Sequence, residues 1–179
     1  MESIITDRIL IRKFQKADWK DLYEYLSDET VVKYEPYEVY TQEQAKEEAE
    51  YRSGNDCFYA VCLKDTGKLI GNLYFAKGDF DTWELGYVFN RNYWGHGYAT
   101  ESARALVDTA FLNFGARRVI AGCDQLNAHS WKLLERLGFR REAAQLQNIY
   151  FKKDRDGNPI WVNSYRYAVL KSEWKSVNV

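Results

Sequence analysis

Apolar residues at Ala99, Ala103, Leu106, Val107, Ala110, Phe111 and Phe114 keep the i, i+4, i+7, i+8 spacing of one helical face. The spacing predicts a helix over 100–114, with Gly115 as its stop. Shorter alternating or apolar runs predict strands at 8–13, 57–63, 69–75, 83–89, 118–123, 149–153 and 162–170. Asp65-Thr66-Gly67 and Asp156-Gly157-Asn158 are the turn signals between paired runs. Asp18 is placed to cap a helix reaching Leu26, and Thr41 with Gln44 forms a capping-box pattern for a helix ending near Gly54. A short helix is expected over 130–137, closed by Gly138. The resulting order β, α, α, β, β, β, α, β, α, β, β calls for a mixed sheet with helices on its faces.

With two prolines, no linker and no repeat, 179 residues read as one domain spanning 1–179. A formal net charge of −1 provides no field to gather nucleic acid or an anionic membrane, so neither is expected as a partner. Cys57, Cys62 and Cys123 have no CxxC spacing and read as small buried hydrophobes in a reducing cytoplasm. The N-terminal residues show no signal-peptide pattern, and no apolar run approaches membrane-spanning length. A cytoplasmic protein is expected.

The segment Asn92-Tyr93-Trp94-Gly95-His96-Gly97-Tyr98-Ala99-Thr100-Glu101 joins a strand to the best helix. A helix start presents unpaired N–H groups and partial positive charge, and glycines let phosphate oxygens approach them. A β-to-α turn that needs glycine for backbone geometry alone is the competing reading. The P-loop is excluded because Gly97 is followed by Tyr98-Ala99. The dinucleotide fingerprint fails too, with Thr100 at its third small position and Ile120 where an acid belongs.

The chain resembles GNAT-type N-acetyltransferases, in the branch of the ribosomal-protein N-terminal (alanine/serine) acetyltransferases. The resemblance rests on Trp94-Gly95-His96-Gly97-Tyr98-Ala99, ELGYVFN (84–90), DQLNAHSWKLLERLGFRRE (124–142), YRYAVLKSEW (165–174) and the opening RILIRKF. It implies an α+β fold: a mostly antiparallel seven-stranded sheet, splayed where strands 83–89 and 118–123 run parallel, with helices on both faces. It also implies acetyl-CoA as cosubstrate. The pyrophosphate would lie on Trp94, Gly95, His96, Gly97, Tyr98, Ala99 and Thr100. The pantetheine arm would lie along the backbone of Val88 and Phe89, with Asn127 and Ser130 beside it.

Acetyl transfer to an amine needs a proton acceptor, a donor to the developing oxyanion, and stabilisation of the departing sulfur. The family supplies the oxyanion donor from the backbone near Val88. Glu84 is the candidate base. It shares a strand face with Gly86 and Val88, but a straight strand sets it about 13 Å from Val88, so a bulge or a bridging water is needed. Many relatives carry a tyrosine seven residues after the asparagine, where this chain has Leu134. Ser130 takes its place as candidate acid, with a helix cap as the alternative. His96 and His129 have no second ligand at metal spacing, and no metal site is expected.

Glu35 and Glu38, with Tyr34, Tyr37 and Trp83 as walls and Tyr150, Tyr165 and Tyr167 nearby, are candidates for an acceptor cleft suited to a cationic amine. A peptide N-terminus and a small polyamine-like or antibiotic amine both fit, as do a monomer and a homodimer. The alternative class is a catalytically silent coenzyme-A-binding sensor, which needs the glycines and Asn127 but no base.

Overall fold

The computed structural model describes residues 3–175, and the apolar runs of the sequence become strands of one sheet. In chain order the elements are β1 (Ile4–Ile5), β2 (Ile9–Lys13), α1 (Trp19–Leu26), α2 (Glu29–Val32), α3 (Gln42–Ser53), β3 (Phe58–Leu63) and β4 (Leu69–Lys77). They continue with β5 (Thr82–Phe89), α4 (Tyr98–Asn113), β6 (Arg118–Asp124), α5 (Ala128–Arg136), β7 (Arg140–Lys153) and β8 (Pro159–Leu170). The sheet order is β1-β2-β3-β4-β5-β6-β8-β7, and only β5 and β6 pair in parallel.

Three expectations are corrected. The described sheet has eight strands rather than seven, because Ile4 and Ile5 pair with Ile11 and Leu10 in a two-residue edge strand too short to show alternation. β7 starts at Arg140, nine residues before the expected 149, and its long exposed stretch carries no apolar period. Asp18 does not cap α1. Its carboxylate turns back to accept from the Gln15 N–H at 2.8 Å and from both terminal nitrogens of Arg12 at 2.8 Å. The capping box at α3 forms as read, with Gln44 N–H donating to Thr41 Oγ1 at 3.2 Å and Thr41 N–H to Gln44 Oε1 at 2.8 Å.

Strand alternation divides the core between the two faces of the sheet. Ile9, Ile11, Leu73, Phe75 and Leu85 pack with Leu106, Val107 and Phe111 of α4 and Leu133 and Leu134 of α5. Leu22, Leu26, Val32 and Ala49 of the first three helices pack with Cys62 and Leu69 on the other face. Trp83 stacks between Phe75 at 4.9 Å and Phe114 at 5.5 Å, so it is part of the core and not a cleft wall.

β4 and β5 pair without a register shift from Lys77–Trp83 to Gly71–Phe89. At the last pair, a Cβ on Gly71 would lie 2.5 Å from Phe89 Cδ1 and 2.7 Å from the Val88 carbonyl oxygen. The glycine is required for Phe89 to lie flat across β4. Overpacking at such a site costs about 1–3 kcal/mol. Gly71→Ala should therefore lower unfolding free energy by about 2 kcal/mol in urea titration. An unchanged midpoint would show that Phe89 moves aside freely.

Candidate active site

The parallel ladder between β5 and β6 contains only three pairs, Thr82–Arg118, Trp83–Val119 and Glu84–Ile120. Beyond Glu84 the strands part, each held on its far side by an antiparallel partner, β4 for one and β8 for the other. The gap opens into a cleft of ≈ 880 Å³. Antiparallel pairing directs backbone groups alternately to either edge. The bonds Gly78 N–H to Thr82 O and Asn90 N–H to Ile70 O mark the two ends of the β4–β5 ladder. By that alternation Glu84, Gly86 and Val88 spend their N–H and C=O groups on β4. Leu85, Tyr87 and Phe89 turn theirs toward the gap. The Phe89 carbonyl accepts from Trp94 Nε1 at 2.8 Å, which ties the following loop to the end of β5.

In that loop Gly95 (φ +79°) and Gly97 (φ +83°) are both left-handed, a region that disfavours any Cβ. No atom lies within 4 Å of where a Gly95 Cβ would stand. Gly97 precedes α4, so the first N–H groups of the 16-residue helix, from Tyr98 onward, face the cleft without intrahelical acceptors. Arg8 braces the loop from behind: Nη1 donates to the His96 carbonyl at 3.0 Å and Nε to Glu101 at 2.7 Å. Although burial acts to raise it, hydrogen bonds from Thr6 and Arg8 hold the Glu101 carboxyl below the usual carboxylate range.

Across the gap, Asn127 caps α5 by accepting from Ser130 N–H at 3.2 Å. Ser130 Oγ lies 3.0 Å from the Tyr87 hydroxyl, which also donates to the Ser130 carbonyl at 3.0 Å. Burial pushes the Tyr87 phenol up, partly offset by Ser130, and pushes the neighbouring Cys123 thiol up to about 11. Leu134 is fully buried in the core and presents nothing to the cleft.

Where the strands first part, Glu84 meets Arg166 Nη1 at 3.2 Å. Arg166 sits on β8, paired with Gly122 of β6, and a Cβ on Gly122 would come within 3.0 Å of Nη1. The missing side chain is what lets the guanidinium cross β6 to reach β5. With no bulge in β5, Glu84 stays a strand's length from Val88.

Of the residues singled out in sequence, Glu84, Val88, Phe89, Trp94, Gly95, Gly97, Tyr98, Ala99, Thr100, Asn127 and Ser130 all line this one cleft. His96 does not. Its ring is exposed, stacked 5.8 Å from Tyr98, with Nδ1 2.9 Å from the Trp94 carbonyl oxygen. Tyr34 and Glu35 line the far end with Lys33, Ile149 and Phe151. Glu38 is turned away, paired with Lys152 at 3.3 Å. Tyr165 accepts from Gln125, and Tyr167 is buried against Glu135 and Arg141. Neither of these tyrosines lines the cleft, and nor do Tyr37 and Tyr150. Sequence reasoning missed Tyr87 and Arg166: both were read only as strand residues, and their partners lie 43 and 82 positions away.

Parted parallel strands running into a left-handed glycine loop and a helix start form one continuous, largely backbone-built cleft. Residues 8–140 match the family model described as an acetyltransferase (GNAT) domain. The uncharacterized N-acetyltransferase YnaD of Bacillus subtilis (strain 168) is 39% identical over 174 residues, covering 96% of this chain and 98% of that protein. A GNAT-family acetyltransferase structure from Bacillus anthracis superposes with a TM-score of 0.87 at 35% identity, covering 96% of this chain and all (100%) of the other. The ribosomal-protein-S5-alanine acetyltransferase of Vibrio fischeri shares the fold, with a TM-score of 0.77 at 20% identity over 98% of this chain and 100% of that one. The chain belongs to the GNAT family of N-acetyltransferases and is an acyltransferase. No helix among the described residues is long and apolar enough to cross a membrane. None of the described His, Cys, Asp and Glu side chains cluster in threes to hold a metal ion.

Glu35 makes no ion pair within 4 Å among the described residues and keeps only partial contact with solvent. Burial raises its carboxyl to about 7, against opposing contributions from Arg52 and Tyr37. A raised carboxylate gives stability that is full below its unfolded value of ~4.3 and is lost as pH rises through 7. Glu35→Gln should therefore stabilise the protein at pH 8 and change little at pH 5, read as paired urea midpoints. Equal shifts at both pH values would mean that Glu35 is solvated in the fold.

Proposed function

We propose that the chain is an acetyl-CoA-dependent N-acetyltransferase that moves acetyl to a primary amine by direct attack in a ternary complex. The observation that carries this is the single cleft joining an unpaired β5 edge to the left-handed Gly95–Gly97 loop and the start of α4. Coenzyme A fits the residues present. Open space at Gly95 and the free N–H groups from Tyr98 through Thr100 suit a pyrophosphate, and the β5 edge suits an amide-bearing arm. Trp94 and Asn127 hold the two ends of that passage through their bonds to Phe89 and Ser130. When bound, acetyl-CoA supplies an activated thioester.

The backbone N–H groups of Tyr87 and Phe89, on either side of Val88, are the donors available to a developing oxyanion. Glu84 is the proposed base. It lines the cleft, and a water must connect it to the amine because β5 runs straight. Its pair with Arg166 is half exposed and can exchange for that water at small cost. Ser130 Oγ is the proposed donor to the departing sulfur. The acceptor end, with Glu35, Tyr34 and Phe151, suits a cationic amine with an apolar neighbour, either a peptide N-terminus or a small amine. Free Cys57, Cys62 and Cys123 fit a reducing cytoplasm.

Thiol release from acetyl-CoA across a panel of peptides and small amines tests the activity. Release with none of them, despite tight coenzyme A binding, would favour a cofactor-binding sensor. Gly95→Ala should weaken coenzyme A binding roughly tenfold or more, about 1.4 kcal/mol. Gly115→Ala serves as control, since it is equally left-handed and open but away from the cleft. Calorimetry giving both variants wild-type affinity would remove the loop from the cofactor site. Glu84→Gln should keep that affinity and lose turnover near neutral pH, with partial recovery at higher pH as free amine accumulates. A pH–rate profile identical to wild type would make Glu84 structural.

A further inference from the structure

The family's helix tyrosine is replaced here by Leu134, which is buried, yet a tyrosine hydroxyl still reaches the cleft from the opposite wall. Tyr87 projects from β5 on the same side as Leu85 and Phe89, toward α5. Its hydroxyl lies 3.0 Å from both the carbonyl oxygen and Oγ of Ser130. Tyr87, Ser130 and Cys123 all line the cleft. A phenol has one proton, so the pair has two arrangements. When Tyr87 donates to the Ser130 carbonyl, Ser130 Oγ–H can donate back to the phenol oxygen. When Tyr87 donates to Oγ, the serine proton is free to point into the cleft.

The geometry points to Tyr87 as a positioning residue for acyl transfer, turning the Ser130 hydroxyl proton toward the coenzyme A sulfur as the carbon–sulfur bond breaks. The inference rests on the acetyltransferase reading above. In the step itself, the amine nitrogen forms its bond to the acetyl carbon and the C–S electron pair passes to sulfur. The ammonium proton leaves through the base or water. The sulfur departs as a thiolate that accepts a hydrogen bond from Ser130 and takes its proton from solvent. No proton leaves the Tyr87–Ser130 pair, and Tyr87 stays a phenol throughout.

The titratable and charged groups facing Tyr87 are Cys123 of β6, Arg136 of α5 and Tyr167 of β8. Burial raises Cys123 to about 11 and Tyr167 to about 12. Neither titrates in the range where a free alkyl thiol does, near ~8.5. The hydrogen bond is therefore readable without an acceptor. Calorimetry from pH 7 to 9.5 should show coenzyme A gaining affinity over its desulfo analogue as its thiol ionises. In Tyr87→Phe that gain should fall several-fold, while affinity for the desulfo analogue stays at the wild-type value. Single-turnover acetyl transfer should slow roughly tenfold with acceptor KM unchanged. Tyr87→Phe combined with Ser130→Ala should be no slower than Ser130→Ala alone, because Tyr87 acts through the serine.

A folded Tyr87→Phe protein with the wild-type thiol profile and wild-type single-turnover rate overturns the inference. So does a double variant whose losses multiply. Failure of the acetyltransferase reading shows differently, as absence of thiol release by the wild-type protein with every amine, whatever the thiol profile.

Discussion

Three residue pairs of parallel ladder hold the two halves of this sheet together, and the site exists because the ladder stops there. Each parting strand already has a committed partner on its other side, seven pairs to β4 for β5 and seven to β8 for β6. Neither can bend to close the gap without breaking its outer ladder. The short junction is reinforced through Trp83, stacked between Phe75 beneath and Phe114 from the end of the α4 segment. Past the junction, β5 carries backbone groups with no strand to receive them. Buried peptide groups are nearly always paired, so an edge of this kind is stable only where water or a ligand can reach it. The cleft is the space that satisfies this condition.

The charges around the gap follow the same division. At the glycine loop they brace backbone: Arg8 and Glu101 hold the loop and the first turn of α4 from outside the cleft, so the N–H groups within it remain free. Elsewhere they sit in the cleft itself. Glu84 reaches Arg166 over Gly122, and Glu35 lies desolvated near Arg52, a guanidinium only 2% exposed. Arg52 donates through Nε to Glu48, leaving Nη1 without a hydrogen-bond partner among the described residues. A carboxyl whose titration is pushed up to about 7 by burial costs stability at high pH.

How far the sequence could be read depended on whether the signal was local. The helical period of α4, the Thr41–Gln44 capping box and the Gly95–Gly97 spacing are set within one or two turns, and all appear in the structure. β7 was half missed because an edge strand exposed on both faces has no reason to alternate. α2 is a single turn whose Asp28 cap, accepting from Thr30 N–H, resembles any loop residue. Within the site, the parting of the strands was legible only through the family resemblance, since no local pattern records where a ladder ends. Tyr87 sat in an apolar run, where an aromatic residue is usually core, and its partner lies on another element. Of the expected aromatic wall Tyr34 lines the cleft, whereas Trp83 and Tyr167 are drawn into the core by stacking and burial.

The two ends of the cleft therefore respond differently to substitution. The end proposed to hold the cofactor is built from main chain: left-handed glycines, a helix start and an unpaired strand edge. Side chains there matter mainly through what they leave open, as at Gly95, or what they tie down, as with Trp94 and Arg8. The end proposed for the acceptor is built from side chains on the irregular stretch after α2 and on the β7–β8 hairpin, with Tyr34, Glu35, Ile149 and Phe151 in the lining. The irregular stretch after α2 is the part that tolerates change without disturbing the sheet, since Ile149 and Phe151 lie on β7, within the sheet itself. On the proposed function, substitution at Glu35 would alter the amine accepted while the backbone-built end of the cleft stays fixed. Tyr87 and Ser130 lie where the two regimes meet. Both are anchored on regular elements, β5 and α5, so their hydroxyls keep one geometry whichever acceptor the loops admit.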